Sequence, residues 1–383
     1  MTKWRVLIFL STLLVVGVVG LFVSFYARGY RLDFKTLKFS PNGIFVVKSE
    51  PDGASVYING ELRTATNATL SLAPGTYDVE VKKDGFLPWY KRLTIEKEIV
   101  TQASVSLFKS APSLAPLTFS GAASPIESED GTKIAYIDKD ALWVIDIANL
   151  PLGFGRDPKK ITDGDLTNAT FEFSPDSRQI LLTTSQGIFL LDSGSFTPQG
   201  QRTNITSKKV ATLAEWEIQK KEQITSLLKP FPAQISEVLG KRTSKLVLSP
   251  DEQMILYTAS SEGTLAENLV RPLPGASTQK QERTIKAGST YIYDIKEDRN
   301  FLVSNLPEDK ENVRWMPSSR HVLLAQEGSV VIMDYDGTNK QTVYSGAYVA
   351  PIAYPYTNTT RILILTNLGS DTSTPNLYSL TLK

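Results

Sequence analysis

Short apolar segments separated by turn residues recur along the C-terminal two thirds of the chain. The clearest example is residues 171–192, FEFSPDSRQILLTTSQGIFLLD. Phe171 and Phe173 alternate with polar residues, which predicts a strand with one buried face. The Ser-Pro-Asp-Ser sequence that follows is typical of a tight turn. The continuous apolar runs 180–182 and 188–191 then predict two strands that are covered on both faces.

This three-strand pattern recurs in a fixed register. An apolar run begins six residues after Ser174, and runs begin at the same offset from Ser128, Ser249 and Met316. A looser fifth copy, YPYTNTTRILIL, has a longer turn. The third strand recurs at 142–146, 188–192, 291–295, 330–334 and 377–382. Repeats of about 40 to 50 residues with several strands each predict the blades of a β-propeller.

The turn and strand motifs resemble those of TolB-type propellers, which are similar to WD-repeat propellers. The resemblance rests on SPDxxxILL…IFLLD and on MDYDGTN at 333–339, and it covers roughly residues 112 to 383. The first copy departs from the pattern because it lacks the proline, and the fourth because it lacks the aspartate. The resemblance implies a fold and is nearly silent about function.

Five copies predict a five-bladed ring in which the last blade lacks its own outer strand. We expect residues 114–120 to supply that strand by pairing with 377–382, because unpaired backbone groups at both ends are then satisfied. The alternative is a sixth blade formed by residues 261–295.

Residues 208–240 break the strand pattern and predict two helices, interrupted by Pro230 and Pro232 and placed outside the ring. These helices either pack on the propeller or bind a partner. Residues 261–289 are polar and predict a long exposed loop.

Residues 6–27 at the N-terminus contain no charged residue. Twenty-two helical residues span about 33 Å, enough to cross the hydrocarbon core of a bilayer. Trp4 and Tyr30 lie where interfacial aromatic residues are found. A cleaved signal peptide is the alternative, but cleavage after Ala27 would require the bulky Phe25 at a position that favours a small residue. We therefore expect an uncleaved single-pass anchor in the cell membrane.

Basic residues flank both ends of this segment. Lys3 and Arg5 precede it, and the residues that follow it are Arg28, Arg31, Lys35 and Lys38. The count alone favours a cytoplasmic C-terminal part. Long domains translocate largely regardless of such charges, so we expect the bulk of the chain to be extracytoplasmic.

Residues 44–108 predict a separate small β domain. Ala54, Val56 and Ile58 alternate inward, and Asn59-Gly60 is a strong hairpin signal. The string SEPDGASVYINGELRTATNATLSLAPGTYDVEVKKDGF resembles the PEGA domain, whose name-giving tetrapeptide is here Pro51-Asp52-Gly53-Ala54. The resemblance implies a small β-sandwich-like fold in a cell-surface or envelope protein, without an activity.

The predicted fold is therefore mostly β, with three parts. They are a transmembrane anchor and juxtamembrane segment (1–35), a PEGA-like β domain (36–110) and a five-bladed β-propeller (111–383) with a helical insertion (208–240). Lys and Arg number 41 against 40 Asp and Glu, so the net charge of +1 gives no argument for nucleic acid. The chain has no cysteine, which excludes disulfides and thiolate sites.

The sequence offers few candidates for chemistry. His321 is the single histidine, and its place at a turn exit predicts a surface residue and not a catalytic one. Asp163-Gly164-Asp165 and Asp334-Tyr335-Asp336-Gly337 could suggest calcium, but both lie at expected turns. We assign no catalytic, cofactor-binding or metal-binding residue and expect no enzyme.

Two classes of function remain. We favour an envelope protein that contacts the lipid bilayer through residues 6–27 and binds a protein or a cell-wall polymer, as a scaffold or adaptor. The alternative is a hydrolase that uses the propeller funnel. The sequence does not place the aromatic residues Trp143, Trp315 and Tyr335 at the mouth of that funnel.

Overall fold

The computed structural model describes residues 2–27, 30–33, 38–147, 157–271, 273, 275, 277–307, 311–356, 359–370 and 374–383. These residues form two compact units. The small unit contains the chain up to Leu107, together with the described residues of 272–279. The large unit contains Phe108–Arg271 and Lys280–Lys383. The predicted resemblance placed residue 108 with the small domain, whereas the structure groups it with the large unit.

The N-terminal helix α1 (Thr2–Ala27) has side chains that are almost all exposed, although most of them are apolar. Its segment Lys3–Tyr26 has a mean hydropathy of 2.9, and none of it is buried within the chain. By length and composition it can cross a membrane. A short strand pair follows, β1 (Tyr30–Asp33) with β2 (Lys38–Pro41). Four basic residues follow α1, and their side chains are not among those that the structure describes; they are Arg28, Arg31, Lys35 and Lys38.

The rest of the small unit is two sheets around one apolar core. Its strands are β3 (Gly43–Glu50), β4 (Ser55–Ile58), β5 (Glu61–Ala65), β6 (Ala68–Leu72), β7 (Gly75–Lys82), β8 (Trp89–Ile95) and β9 (Val100–Ser106). One sheet has the order β5-β4-β7-β8 and the other β6-β3-β9, in which β3 and β9 are parallel. Val56, Ile58 and Val81 are buried between the sheets, as their alternation predicted. Asn59 and Gly60 both have positive φ, as a two-residue turn between β4 and β5 requires.

The large unit contains twenty-one strands within the described residues. They are β10 (Ser113–Pro116), β11 (Ala123–Glu127), β12 (Lys133–Asp138), β13 (Ala141–Asp146), β14 (Lys159–Asp163), β15 (Thr170–Phe173), β16 (Gln179–Thr184), β17 (Gly187–Asp192), β18 (Thr243–Leu248), β19 (Met254–Ala259), β20 (Gly263–Thr264), β21 (Thr284–Ile285), β22 (Thr290–Asp294), β23 (Arg299–Ser304), β24 (Glu311–Trp315), β25 (His321–Gln326), β26 (Ser329–Asp334), β27 (Gln341–Ser345), β28 (Ala353–Tyr356), β29 (Arg361–Thr366) and β30 (Asn376–Thr381).

Nineteen of these strands form five antiparallel sheets. Sheet I is β11-β12-β13-β14, sheet II is β15-β16-β17, sheet III is β18-β19-β22-β23, sheet IV is β24-β25-β26-β27 and sheet V is β28-β29-β30-β10. The predicted copies therefore correspond to sheets one by one. Among the described residues of 261–289, only the short pair β20 and β21 forms strands, so this segment contributes no sixth sheet of that size.

The turns after the first strands share one hydrogen-bond pattern. The Ser174 hydroxyl donates to Asp176 Oδ1 (2.6 Å) and accepts from the backbone N–H of Gln179 (2.9 Å). Ser249 repeats both bonds with Asp251 and Met254. The same oxygen therefore closes the turn and starts the second strand, which explains why the offset from serine to the apolar run is constant.

The strand that completes sheet V comes from the other end of the large unit. β10 pairs antiparallel with β30, with Leu114 opposite Leu380 and Ala115 opposite Ser379. The backbone N–H of Leu117 extends the pairing by donating to Leu377 O (2.8 Å). The predicted pairing of the segment before the first copy with the last strand is therefore present.

Apolar side chains join neighbouring sheets in chain order. One cluster joins sheets V and I, another joins I and II, and a third joins III and IV. β24 and β25 of sheet IV also contact β28 of sheet V. Each sheet is thus packed on both faces, as its continuous apolar strands predicted.

The helical insertion lies between sheets II and III. It consists of α2 (Lys209–Leu228) and α3 (Ala233–Arg242), with Pro230 and Pro232 at the turn between them. Trp216 of α2 packs on Leu181 and Ile188, on the face of sheet II opposite sheet I. The buried residues of α3 pack on the face of sheet III opposite sheet IV; they are Ile235 and Leu239. The prediction that these helices lie outside the set of sheets is wrong, because each helix covers a face that elsewhere packs on the next sheet.

Hydrogen bonds at the turns between the first and second strands also place α2 beside sheet II, where another sheet would otherwise pack. The N–H of Asp130 donates to Ser177 Oγ across sheets I and II (3.2 Å), and the N–H of Asp251 donates to Ser319 Oγ across III and IV (3.0 Å). Beside the corresponding turn of sheet II, the contact comes from α2, whose Gln223 side chain donates to Pro175 O (3.3 Å).

A buried ion pair fixes the polar insertion of sheet III. Arg283 Nη1 lies 2.9 Å from Asp298 Oδ1, and both side chains are buried. The Asp298 carboxylate also accepts the Tyr293 hydroxyl (2.8 Å) and the backbone N–H of Leu269 (2.8 Å). One carboxylate therefore holds together the insertion and the third strand of the sheet.

Candidate functional site

The first strands of four sheets meet through polar side chains, and this meeting point is the best candidate for a functional site. Arg314 of β24 donates from Nε to Glu127 Oε2 of β11 (2.5 Å). Its guanidinium lies 4.6 Å from the centre of the Tyr354 ring of β28. The Tyr354 hydroxyl in turn donates to Pro125 O of sheet I (2.8 Å). These contacts connect sheets IV, V and I, and we call Glu127, Arg314 and Tyr354 the central cluster.

The central cluster is shielded from solvent but not fully buried. The Arg314 and Glu127 side chains are 15% and 21% exposed. Arg314 Nη1 is itself buried and has no hydrogen-bond partner, so one donor of the guanidinium is unsatisfied within the chain. Burial raises the pKa of Tyr354 to about 12, which keeps its hydroxyl protonated as a donor at neutral pH.

Lys245 of β18 extends the cluster towards sheet III. Its ammonium lies 3.5 Å from Asn312 Oδ1 and 3.4 Å from Val313 O. A cavity of about 50 Å³ adjoins it between sheets III and IV. The cavity is lined by Lys245, Leu256, Thr258, Thr290, Glu311, Asn312 and Val313. A polar space of this size accommodates a few water molecules.

Glu311 places a buried carboxyl group in the wall of this cavity. Burial raises its pKa, and one carboxyl oxygen, Oε2, has no hydrogen-bond partner. The Thr258 and Thr290 hydroxyls lie 3.0 Å apart nearby. The site thus offers both donors and acceptors for a polar ligand, without a nucleophile paired with a base.

His321 does not lie on the surface, and that prediction is wrong. The residue is 3% exposed, because the ring of Phe108 packs edge-on against it at 5.5 Å between ring centres. Its Nδ1 lies 3.0 Å from Ser318 Oγ, and its Nε2 lies 3.6 Å from Asp334 Oδ1. The sequence could not show this burial, since Phe108 lies more than two hundred positions away.

A serine, a histidine and an aspartate are thus close together, but their geometry favours packing over catalysis. A nucleophilic serine must reach a substrate while its base faces the same space. Here the imidazole is covered by Phe108, and the Ser318 hydroxyl also accepts the backbone N–H of Arg320 (3.3 Å). We therefore assign Ser318 and His321 a structural role at the turn between β24 and β25, where Asp334 at the end of β26 packs beside them.

The two acidic sequences considered for calcium form turns. Asp163 Oδ1 accepts the N–H of Gln199 (3.0 Å), and Asp165 Oδ1 accepts the N–H of Thr167 (3.0 Å). Asp336 Oδ1 accepts the Thr338 hydroxyl (2.6 Å). Among the described residues, no group of three or more possible metal ligands comes together.

The three aromatic residues considered for the funnel mouth pack within the sheets. Trp315 is buried and donates from Nε1 to Val247 O (3.1 Å). Tyr335 is mostly buried against Phe301, and burial raises its pKa. Trp143 packs in the cluster between sheets V and I.

The sequence reading overlooked the residues of the central cluster. Glu127 and Arg314 lie in first strands of mixed composition, ASPIE and ENVRW, so the local sequence contained no signal that marked either residue. It did not show that the two residues, 187 positions apart, form an ion pair.

Asp294 is the last residue of β22, the third strand of sheet III, and the pKa of its carboxyl group is raised. Its Oδ1 accepts the N–H groups of Lys296 (2.9 Å) and Glu297 (2.8 Å), yet burial raises its pKa to about 6. The folded chain therefore binds more protons here than the unfolded chain between about pH 4 and pH 6, so this group's contribution to the free energy of unfolding decreases as pH rises through that range.

We expect the free energy of unfolding of Asp294→Asn to rise by about 1–3 kcal/mol relative to that of the wild type between pH 4.5 and pH 7. Urea denaturation of both proteins at each pH measures the difference, and a difference independent of pH would contradict it.

Comparison with known proteins supports the interpretation of the small unit. Residues 42–111 match the PEGA domain family, which confirms the predicted resemblance. No curated protein matches the chain.

Two solved structures of TolB proteins are similar to the chain, in line with the predicted resemblance to TolB-type proteins. A TolB protein from Agrobacterium tumefaciens is 13% identical, with 69% of this chain and 74% of that chain covered and a TM-score of 0.24. TolB from Acinetobacter baumannii is 15% identical, with 80% of this chain and 59% of that chain covered and a TM-score of 0.20. Since these TM-scores are low, the arrangement of the sheets rests on their own contacts.

Proposed function

We propose that the chain is a membrane-anchored envelope protein that acts as a binding or scaffold module for a protein or a cell-wall polymer. The observation that carries this proposal is the exposed apolar helix α1 directly before a PEGA domain. PEGA domains occur in cell-surface and envelope proteins, so the domains beyond the helix are extracytoplasmic. Nucleic acid is not a partner, because the net charge of +1 provides no basic surface excess.

Residues 111–383 form a five-bladed β-propeller in this proposal, and residues 36–110 are the separate small domain. Three observations support the ring. The sheets pack in chain order, β10 completes sheet V, and Arg314 of sheet IV reaches Glu127 of sheet I through the first strands. The helix pair α2 and α3 occupies the position between sheets II and III.

The partner-binding role rests on the central cluster and on Lys245. The Lys245 ammonium suits carbonyl or carboxylate groups of a polar ligand. Such a ligand reaches the unsatisfied donor of Arg314, which is buried, only if the neighbouring side chains move aside. The role proposed for this site is therefore the binding of such a ligand.

We expect protease added to intact, wall-stripped cells to digest residues 40–383 while α1 stays in the membrane. Immunoblotting against both ends of the chain measures this result. Lysed cells are the control, since they expose both sides of the membrane. If the domains are protected until lysis, they are cytoplasmic and the count of basic residues gave the correct orientation.

Binding is tested by crosslinking the full chain in its native envelope and recovering it by affinity purification. We expect one partner to be captured by the wild type and at least fivefold less of it by Arg314→Ala. Lys241→Ala is the matched control, because Lys241 is an exposed basic residue on α3, away from the central cluster. Equal capture by both variants would show that the central cluster is not the binding site.

A further inference from the structure

The outer face of α2 carries exposed apolar side chains that pack against no other part of the chain that the structure describes. Trp216 marks the inner face, which covers sheet II. On the opposite face Val210 is 81% exposed and Ile218 is 57% exposed, with the exposed Ala214 between them. Residues four apart lie on one side of a helix. These three therefore form a continuous apolar stripe about 12 Å long, unlike the single exposed apolar residues that are common on protein surfaces.

This stripe is symmetric about Ala214. Val210 lies four residues before it and Ile218 four residues after it. If two such helices pack antiparallel about a twofold axis at Ala214, Val210 of each copy faces Ile218 of the other. The small alanine side chain at the crossing lets the helices approach closely. The stripe is therefore complementary to itself.

One pair of charges beside the stripe has the same symmetry, whereas the exposed Glu215 and Glu217 of one copy approach their own counterparts in the other. Glu222 and Lys208, the residue just before α2, are both exposed and lie on one flank of the outer face. In the antiparallel pair, Glu222 of one copy lies within one helical turn of Lys208 of the other, and the contact occurs twice. A parallel pair would instead place like charges opposite each other, which is unfavourable. The charge pattern therefore selects the antiparallel arrangement.

We propose that the outer face of α2 binds a second copy of this chain and forms an antiparallel twofold dimer. The contact is small compared with a standard protein interface. Anchoring both copies in one membrane compensates for this, because it raises their effective concentration.

Single cysteines test the geometry, since the chain has no cysteine of its own. The full chain with Ala214→Cys, in membranes under mild oxidation, is expected to form a disulfide-linked dimer, because position 214 faces itself across the twofold axis. Thr225→Cys is the matched control, since Thr225 is exposed on the same face but its two copies lie about 33 Å apart in the dimer. Equal crosslinking of the two variants, or none of Ala214→Cys, would overturn the proposal.

Second substitutions test the contacts. Adding Ile218→Lys to Ala214→Cys should lower the dimer yield at least fivefold, and Val210→Lys should do the same. Glu222→Lys should lower the yield, and Lys208→Glu added to it should restore the yield. Because all four side chains are exposed, the melting temperature should not change. A yield that is unaffected by both lysine substitutions, or a charge reversal that fails to restore it, would contradict the antiparallel dimer.

Discussion

A disulfide between positions 115 and 379 is expected to form readily and to stabilise the large unit. Ala115 and Ser379 lie directly opposite each other where β10 pairs with β30. The bond would close a loop of about 260 residues, for which the loss of chain entropy in the unfolded state predicts about 5 kcal/mol. Strain reduces this gain in practice, so we expect 2–5 kcal/mol. Denaturation of Ala115→Cys/Ser379→Cys with and without reductant measures the effect within one protein.

A pair shifted by one residue is the control for register. Leu114→Cys with Ser379→Cys places the two sulfurs on opposite faces of the sheet, since successive side chains alternate. This pair should stay reduced under the same conditions. If the shifted pair forms the disulfide and the matched pair does not, the register of the closing strand is wrong.

Replacing Asp298 by alanine is expected to destabilise the large unit by about 3–5 kcal/mol. The substitution leaves the buried guanidinium of Arg283 without its carboxylate, and an uncompensated buried charge carries this cost. The Tyr293 hydroxyl and the Leu269 N–H lose their acceptor as well. Urea denaturation of the full chain in detergent, followed by tryptophan fluorescence, measures the loss.

Glu237→Ala is the comparison for an exposed pair. Glu237 contacts Lys241 one turn further along α3 (2.8 Å), and both side chains are largely exposed. Pairs of this kind contribute little to stability, because solvent screens the two charges. Similar effects of the two alanine substitutions would mean that the Asp298 pair is hydrated and not buried as the structure shows.

Local patterns were enough to predict the strands and their turns. The constant offset from Ser128, Ser174 and Ser249 reflects one hydroxyl group that bonds both ends of the turn. Asn59-Gly60 likewise predicted a hairpin, because few other residue pairs adopt positive φ twice in succession. These features depend on residues within a few positions of each other.

Features that depend on distant contacts could not be predicted in the same way. The burial of His321 depends on Phe108, and the ion pair of Arg314 depends on Glu127. The helices were recognised from their spacing, but their position between sheets II and III depends on which sheet faces Trp216 and Ile235 cover. In each case the sequence did not show the partner.

The pairing of β10 with β30 also has a consequence for how the chain folds. The two strands lie at opposite ends of the large unit, so sheet V can be completed only after residues 376–381 have been synthesised and, in the proposed location, exported. Contacts this distant in sequence form slowly, because loop closure costs entropy before the contact stabilises the fold. Until then the exposed edge of β10 remains open to pairing with other chains. The vulnerable period of this protein is therefore the interval between the appearance of residue 113 and that of residue 381.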